Sequence, residues 1–249
     1  MSKQQQHRTI SATPIKTSIF HSGESLLDFL VQSLHGVDLE GQVLAITSKI
    51  VSLAENRTVA KCTISKKDLI KKEADIYLTP GQYDIELTIT KGLLIPSAGI
   101  DESNSANQCY ILYPEDPFAS AHLIWQGLRR AFGLKNFGVI LTDSHSMPLR
   151  RGVTGIALAY WGFNGVESLV DTPDLFGTKL KFTHLDVVDS LAAMAVLVMG
   201  EANESCPLAV VQGAKVTFSE VTDANELILS PQKDLYYPLL QKFIEPTKE

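Results

Sequence analysis

The segment GESLLDFLVQSLHG places Leu26, Phe29, Leu30 and Leu34 at the three- and four-residue spacing of one helical face, and Gly36 can end that helix. The following stretch, GQVLAITSKIVSLAEN, is rich in apolar and β-branched residues and predicts a buried strand running up to Thr47 and Ser48. Residues 65–75, SKKDLIKKEAD, are charged and helix-prone and read as a solvated helical face. From Tyr83 to Thr90 the polarity alternates as in a strand, and GLLIPSAGIDESN follows.

Further along, EDPFASAHLIWQGLRRAFG has Asp116 at the N-cap, Pro117 at the first helical position, apolar Leu123, Ile124, Leu128 and Phe132, and Gly133 as a stop. NFGVILTDSHSMPLRRG reads as a short buried strand ending abruptly in polar residues. HLDVVDSLAAMAVLVMGEANESCPLAVVQG predicts a helix through Met199, an acidic loop and a strand from Leu208. Helices and strands alternate irregularly, without repeats, which supports a mixed α+β architecture more than a regular doubly wound sheet. Residues 1–12 are polar and expected to be flexible, leaving 13–249 as a single unit or two closely packed lobes.

A hydrophobic content of 45%, with 20% charged residues, is ordinary for a soluble protein. The net charge of −6 provides no general basic field for nucleic acid. No run approaches the roughly 20 apolar residues that span a membrane, and the first residues lack a secretory apolar segment, so the expected location is cytoplasmic. Cys62, Cys109 and Cys206 form neither an even framework nor a CxxC pair and read as mostly buried thiols.

Three polar loops, GIDESN, LTDSHSMPLRRG and MGEANES, each stand at the edge of a hydrophobic element. Asp101, Asp143 and Glu201 converging there would suit Mg2+ or Mn2+, which prefer oxygen ligands and leave positions open to phosphate. Taken singly, each also fits a surface turn or helix cap. Arg150 and Arg151 can grip carboxylate or phosphate through paired hydrogen bonds, or simply balance an acidic surface. His145 can bind substrate or occupy the turn. Phosphate-loop, GxGxxG, HExxH and GxSxG motifs are absent from the sequence. His184, Asp189 and Ser190 fit helix entry and capping better than a catalytic triad.

The stretches ITSKIVSLAEN, AGIDESN, YPEDPFASA, LTDSHSMPLRRGVTGIA and VMGEANESCPLAVVQG occur in this order over residues 44–213. In this the chain resembles the γ-glutamyl ligases that act on the precursor of the deazaflavin coenzyme F-420, together with relatives proposed to glutamylate folates. The resemblance implies the unusual mixed α+β fold of that family, an intertwined homodimer, and a nucleotide-driven amide ligation using GTP or ATP. It implies metal ligation by Asp101, Asp143, Ser144 (in place of a threonine) and Glu201. It also implies nucleotide contacts at Ser48, Lys49, Asn104, Met199, Gly200, Ala202, Asn203, Glu204, Ser205 and Cys206, with a further contact near residues 13–16. Glu102 reads as solvated.

The chain departs from the family pattern at three places. Leu53 replaces a lysine, DSHSMPLR replaces a DTFGRPWR-like segment, and Gln212 replaces an arginine. The metal chemistry reads as retained while the nucleotide and acceptor walls read as altered. The expected reaction adds L-glutamate to a cofactor carboxylate through an acyl phosphate, with Arg150 or Arg151 holding a substrate carboxylate. A folate-type acceptor is slightly favoured over the deazaflavin. The alternative is a non-catalytic nucleotide-binding member of the same fold, motivated by Leu53.

Overall fold

Five strands form the central sheet, in the order β1 (Ser11–Ile15), β12 (Leu208–Gln212), β2 (Gln42–Thr47), β8 (Phe137–His145) and β9 (Thr154–Trp161). Strands β2 and β8 run parallel, and the other neighbouring pairs are antiparallel. The computed structural model describes residues 9–80, 83, 85–104 and 108–244. Residues 1–8 of the segment expected to be flexible lie outside the described residues, while Ser11 and Ala12 belong to β1 and pair with Gln212 and Val211.

The run QVLAIT is apolar without a break because both faces of β2 are covered. Leu44 and Ile46 point into a core shared with α1 (Leu26–Ser33), α2 (Ser48–Ala54) and α4 (Pro117–Phe132). Val43 and Ala45 point into a second core under α5 (Val187–Met199). An isolated helix as short as α1 is marginal in water. Here Ser25 accepts the Asp28 backbone N–H, and Leu30, fully buried, contributes about 1.5–3 kcal/mol. Helix α4 has the expected caps, with Asp116 accepting from the Ala119 N–H and Gly133 left-handed at φ 69°. Leu123 departs from the predicted stripe and is 67% exposed, because the buried face passes through Ser120, Ala121, Ile124 and Leu128.

Beside this sheet, β3 (Thr58–Ala60) pairs with β7 (Cys109–Ile111), and β4 (Ile76–Pro80), β5 (Glu86–Thr90) and β6 (Leu93–Pro96) form an antiparallel sheet. Helix α3 (Lys66–Glu73) lies against them. Its segment is more than a solvated face, since Leu69 and Ile70 are buried with Ala98, Ile100, Tyr110 and Leu112. Strands β10 (Val166–Ser168) and β11 (His184–Asp186) close the base of an arm, on which Leu175, Phe176 and Phe182 are almost fully exposed. Helix α6 (Tyr237–Ile244) follows near the C-terminus. The cysteines differ from the expectation: Cys62 is exposed, and Cys109 and Cys206 are half-buried. Among the described residues no helix is long and apolar enough to cross a membrane.

Candidate active site

The sheet register brings the ends of β2 and β8 and the loop before β12 to one edge. Thr47 at the end of β2 faces Thr142 of β8, so β2 delivers Ser48 and Lys49 where β8 delivers Asp143, Ser144 and His145. Leu208 at the start of β12 faces both Ile46 and Ile15. The loop before β12 therefore arrives at the same edge, tied by the Thr17 N–H to Ser205 O at 3.0 Å and the Thr47 N–H to Pro207 O at 2.9 Å. The carboxyl ends of parallel strands are where open sheets commonly bind ligands.

The GIDESN loop reaches this edge from beside the β3–β7 pair. Asp101 exchanges two 2.9 Å backbone hydrogen bonds with Ile111, which fixes the loop's base. Its Oδ2 receives the Lys49 ammonium at 2.7 Å, and its Oδ1 accepts the Ser103 N–H and hydroxyl at 2.6 and 2.7 Å. Lys49 also donates to Ser103 O and Oγ. The Asn104 amide donates to Ala202 O at 3.1 Å, joining this loop to the one after α5. The Ser144 hydroxyl lies 2.8 and 2.7 Å from the two carboxylate oxygens of Glu201, joining β8 to that same loop. Burial would raise the Asp101 carboxyl, but Lys49 and the Ser103 donors hold it below its ordinary value.

Asp143 behaves differently. Burial pushes its carboxyl up to about 6, against the hydrogen bonds from the Tyr113 hydroxyl and the Ser144 backbone. Tyr113 is itself raised well above the usual phenol range, first by burial and then by the Asp143 charge. Tyr113 opens the YPEDPFASA stretch, so the motif contained it, but no spacing pointed to a partner 30 residues later. Its ring packs on Gly99, which closes three successive left-handed residues, Ser97, Ala98 and Gly99.

Asp101, Asp143 and Glu201 are drawn to one edge but do not close on a single point. Among the described residues no three His, Cys, Asp or Glu side chains gather as a preformed cation site. Each carboxylate is satisfied by its own donor, namely Lys49, Tyr113 or Ser144. The donor set fits a hard divalent cation, because every candidate ligand offers oxygen and an ammonium already rests on Asp101.

Gly200, Ala202, Asn203, Glu204 and Ser205 are exposed on the loop, and Cys206 is half-buried. Gly200 has φ 82° and ψ 170°, a region essentially restricted to glycine, and the Glu204 carboxyl folds over it to accept the Ala202 N–H. Met199, the last residue of α5, is buried, so its side chain serves packing. Ser48 is also buried, at the start of α2, and Leu53 packs on the core where the family pattern has a lysine. Arg150 and Arg151 are exposed on the β8–β9 loop and form no ion pair among the described residues. Glu102, expected to be solvated, pairs with Lys61 at 2.7 Å and Lys66 at 2.5 Å and tethers the GIDESN loop to the start of α3 and the segment before it.

Residues 14–213 match the family described as F420-0:gamma-glutamyl ligase. The coenzyme F420:L-glutamate ligase of Methanopyrus kandleri is 32% identical over 251 residues, covering 91% of this chain and 96% of that protein. That of Methanocaldococcus jannaschii is 30% identical, covering 92% and 97%, and that of Methanococcus maripaludis strain C7 is 33% identical, covering 78% and 84%. The matched span contains Asp101, Asp143 and the loop before β12 together. The chain therefore belongs to the F420-0:gamma-glutamyl ligase family and is an amide-bond-forming γ-glutamyl ligase.

Proposed function

We propose that the enzyme couples L-glutamate to the carboxylate of a cofactor precursor at the expense of GTP or ATP. The observation that carries this reading is the meeting of the Asp101, Asp143 and Glu201 loops at one sheet edge through Lys49–Asp101, Asn104–Ala202 and Ser144–Glu201. A carboxylate oxygen is a poor leaving group, so it needs activation before an amine can displace it. The acceptor carboxylate attacks the γ-phosphorus, the bond to the β-phosphate oxygen breaks and nucleoside diphosphate leaves. The glutamate amine then attacks the acyl carbon of the acyl phosphate, inorganic phosphate departs, and loss of a proton from nitrogen leaves the amide.

The chain's part in these steps is positioning more than covalent chemistry. Asp101, Asp143, Ser144 and Glu201 would hold Mg2+ or Mn2+, which would neutralise the triphosphate charge. The Asn104 loop and residues 199–206 hold the nucleotide beside Ser48 and Lys49. Arg150 or Arg151 grips the acceptor carboxylate, which their exposed guanidinium groups leave them free to do.

Two acceptors compete. The printed names of the relatives favour the deazaflavin precursor, whereas the altered DSHSMPLR wall, with Leu149 fully exposed beside Arg150, slightly favours a folate-type pteridine. Purified protein is incubated with L-glutamate, GTP or ATP, and either acceptor, and products are weighed by mass spectrometry. The expected result is a one-glutamate gain on the folate-type acceptor. A gain on the deazaflavin alone reverses the preference, and nucleotide binding without ligation of either acceptor supports the non-catalytic alternative.

The β10–β11 arm carries Leu175, Phe176 and Phe182 at 97, 94 and 87% exposure, an apolar area that isolated soluble chains rarely leave open. A second copy covering it would make the protein a homodimer. Light scattering is expected to return the mass of two chains, and a single-chain mass rejects the dimer.

A further inference from the structure

Tyr113 also lines a polar cavity of about 320 Å³, near the lower end of the range for small-ligand sites. Three cations line it: Arg57, Lys72 and Lys91, facing the carboxylates of Glu73 and Glu115. Tyr113 belongs to both places, since it lines the cavity, its carbonyl accepts the Arg57 Nε–H at 2.9 Å, and its hydroxyl donates to Asp143.

These cations are unequally occupied. Arg57 is held by the half-buried Glu73 at 2.5 Å. Its other arm meets Glu115 at 3.0 Å, but the Glu115 side chain is 79% exposed, and such exposed pairs contribute little and are readily exchanged. The Lys91 ammonium has only a neutral partner among the described residues, Glu115 O at 2.8 Å. The Lys72 ammonium has no hydrogen-bond or ion-pair partner among the described residues. The lining thus offers an arginine fork and two lysines to anions, and a displaceable carboxylate to a cation.

We propose that this cavity is the L-glutamate pocket, in which Arg57, Lys72 and Lys91 receive the two carboxylates and Glu115, displaced from Arg57, faces the amino group. The assignment rests on the ligase reaction proposed above, where an amino dicarboxylate must be held near the activated acceptor. Three cations against two carboxylates give the lining a formal +1, complementary to the −1 of free L-glutamate. The volume suits a free amino acid better than a tricyclic or pteridine acceptor. Tyr113 then separates the amino acid from Asp143 by the width of one side chain.

Saturation-transfer NMR on the full chain, with L-glutamate as the observed ligand and with and without GTP, tests this directly. Lys72→Ala and Lys91→Ala are each expected to raise the L-glutamate Kd about tenfold. Lys72 is exposed, so its removal leaves folding intact, as circular dichroism would verify. Absence of an L-glutamate signal in the wild type overturns the assignment, as does an equal signal in the Lys72→Ala/Lys91→Ala variant. Displacement of L-glutamate by the acceptor assigns the pocket to the acceptor carboxylate and also overturns it. In the ligation assay the KM for L-glutamate is expected to rise about tenfold with the nucleotide KM unchanged. Ligation with an unchanged L-glutamate KM sinks the pocket alone. Lysine-dependent L-glutamate binding without ligation of any acceptor leaves the pocket standing and removes the proposed reaction.

Discussion

Asp101→Ala and Asp143→Asn are each expected to lower glutamate ligation by on the order of 10²–10³-fold, as when a fixed charge that organises a transferring phosphoryl group is removed. Asp101 is the meeting point of Lys49 and Ser103, so its removal frees an ammonium and undoes the turn that presents Asn104. At Asp143 the amide oxygen of asparagine still accepts the Tyr113 hydroxyl. That variant removes charge while sparing the buried phenol the cost of an unmade hydrogen bond, about 1–3 kcal/mol. Single-turnover rates with saturating nucleotide, alongside thermal melts to show that both variants fold, check the prediction. Wild-type rates in both variants would dismiss the proposed site.

Gly99→Ala is expected to destabilise the protein by about 2–5 kcal/mol, combining left-handed strain with overpacking. A Cβ at Gly99 would overlap the Tyr113 ring, which is only 5% exposed and is held by its hydroxyl contact with Asp143. Gly133 is a built-in control: it shares the φ of 69°, but nothing lies within 4 Å of a Cβ placed there. Gly133→Ala should therefore cost about 1–2 kcal/mol and leave ligation intact. Melting temperatures are expected to fall by roughly 10 °C for Gly99→Ala and by a few degrees for Gly133→Ala. Only Gly99→Ala should also slow ligation, because it moves Tyr113 off Asp143. Equal losses of stability would mean that the ring contact contributes nothing.

Local features were readable before the fold was known. The Asp116, Pro117 and Gly133 signals of α4 are self-contained, and the end of α5 at Met199 follows from the glycine behind it. The site was readable in its parts, because Asp101, Asp143 and Glu201 stand at element ends where polar residues interrupt apolar runs. Their partners were hidden. Tyr113 and Arg57 drew no role from the sequence, because their contacts join residues 30 and 56 positions apart. Glu102 looked solvated because Lys61 and Lys66 lie 41 and 36 positions earlier. The β10–β11 arm carries no clean periodicity, since its apolar residues do not face this chain's own core.

The bonds that assemble the site span long stretches of chain: 98 residues from Asn104 to Ala202, 57 from Ser144 to Glu201 and 54 from Lys49 to Ser103. Closing such loops costs entropy before any contact rewards it, so these pairings are late events in folding. The alignment of these loops consequently exists only once α5 has docked and β12 has entered the sheet. A chain released before residue 208 would have every acidic loop of the site and none of their mutual alignment.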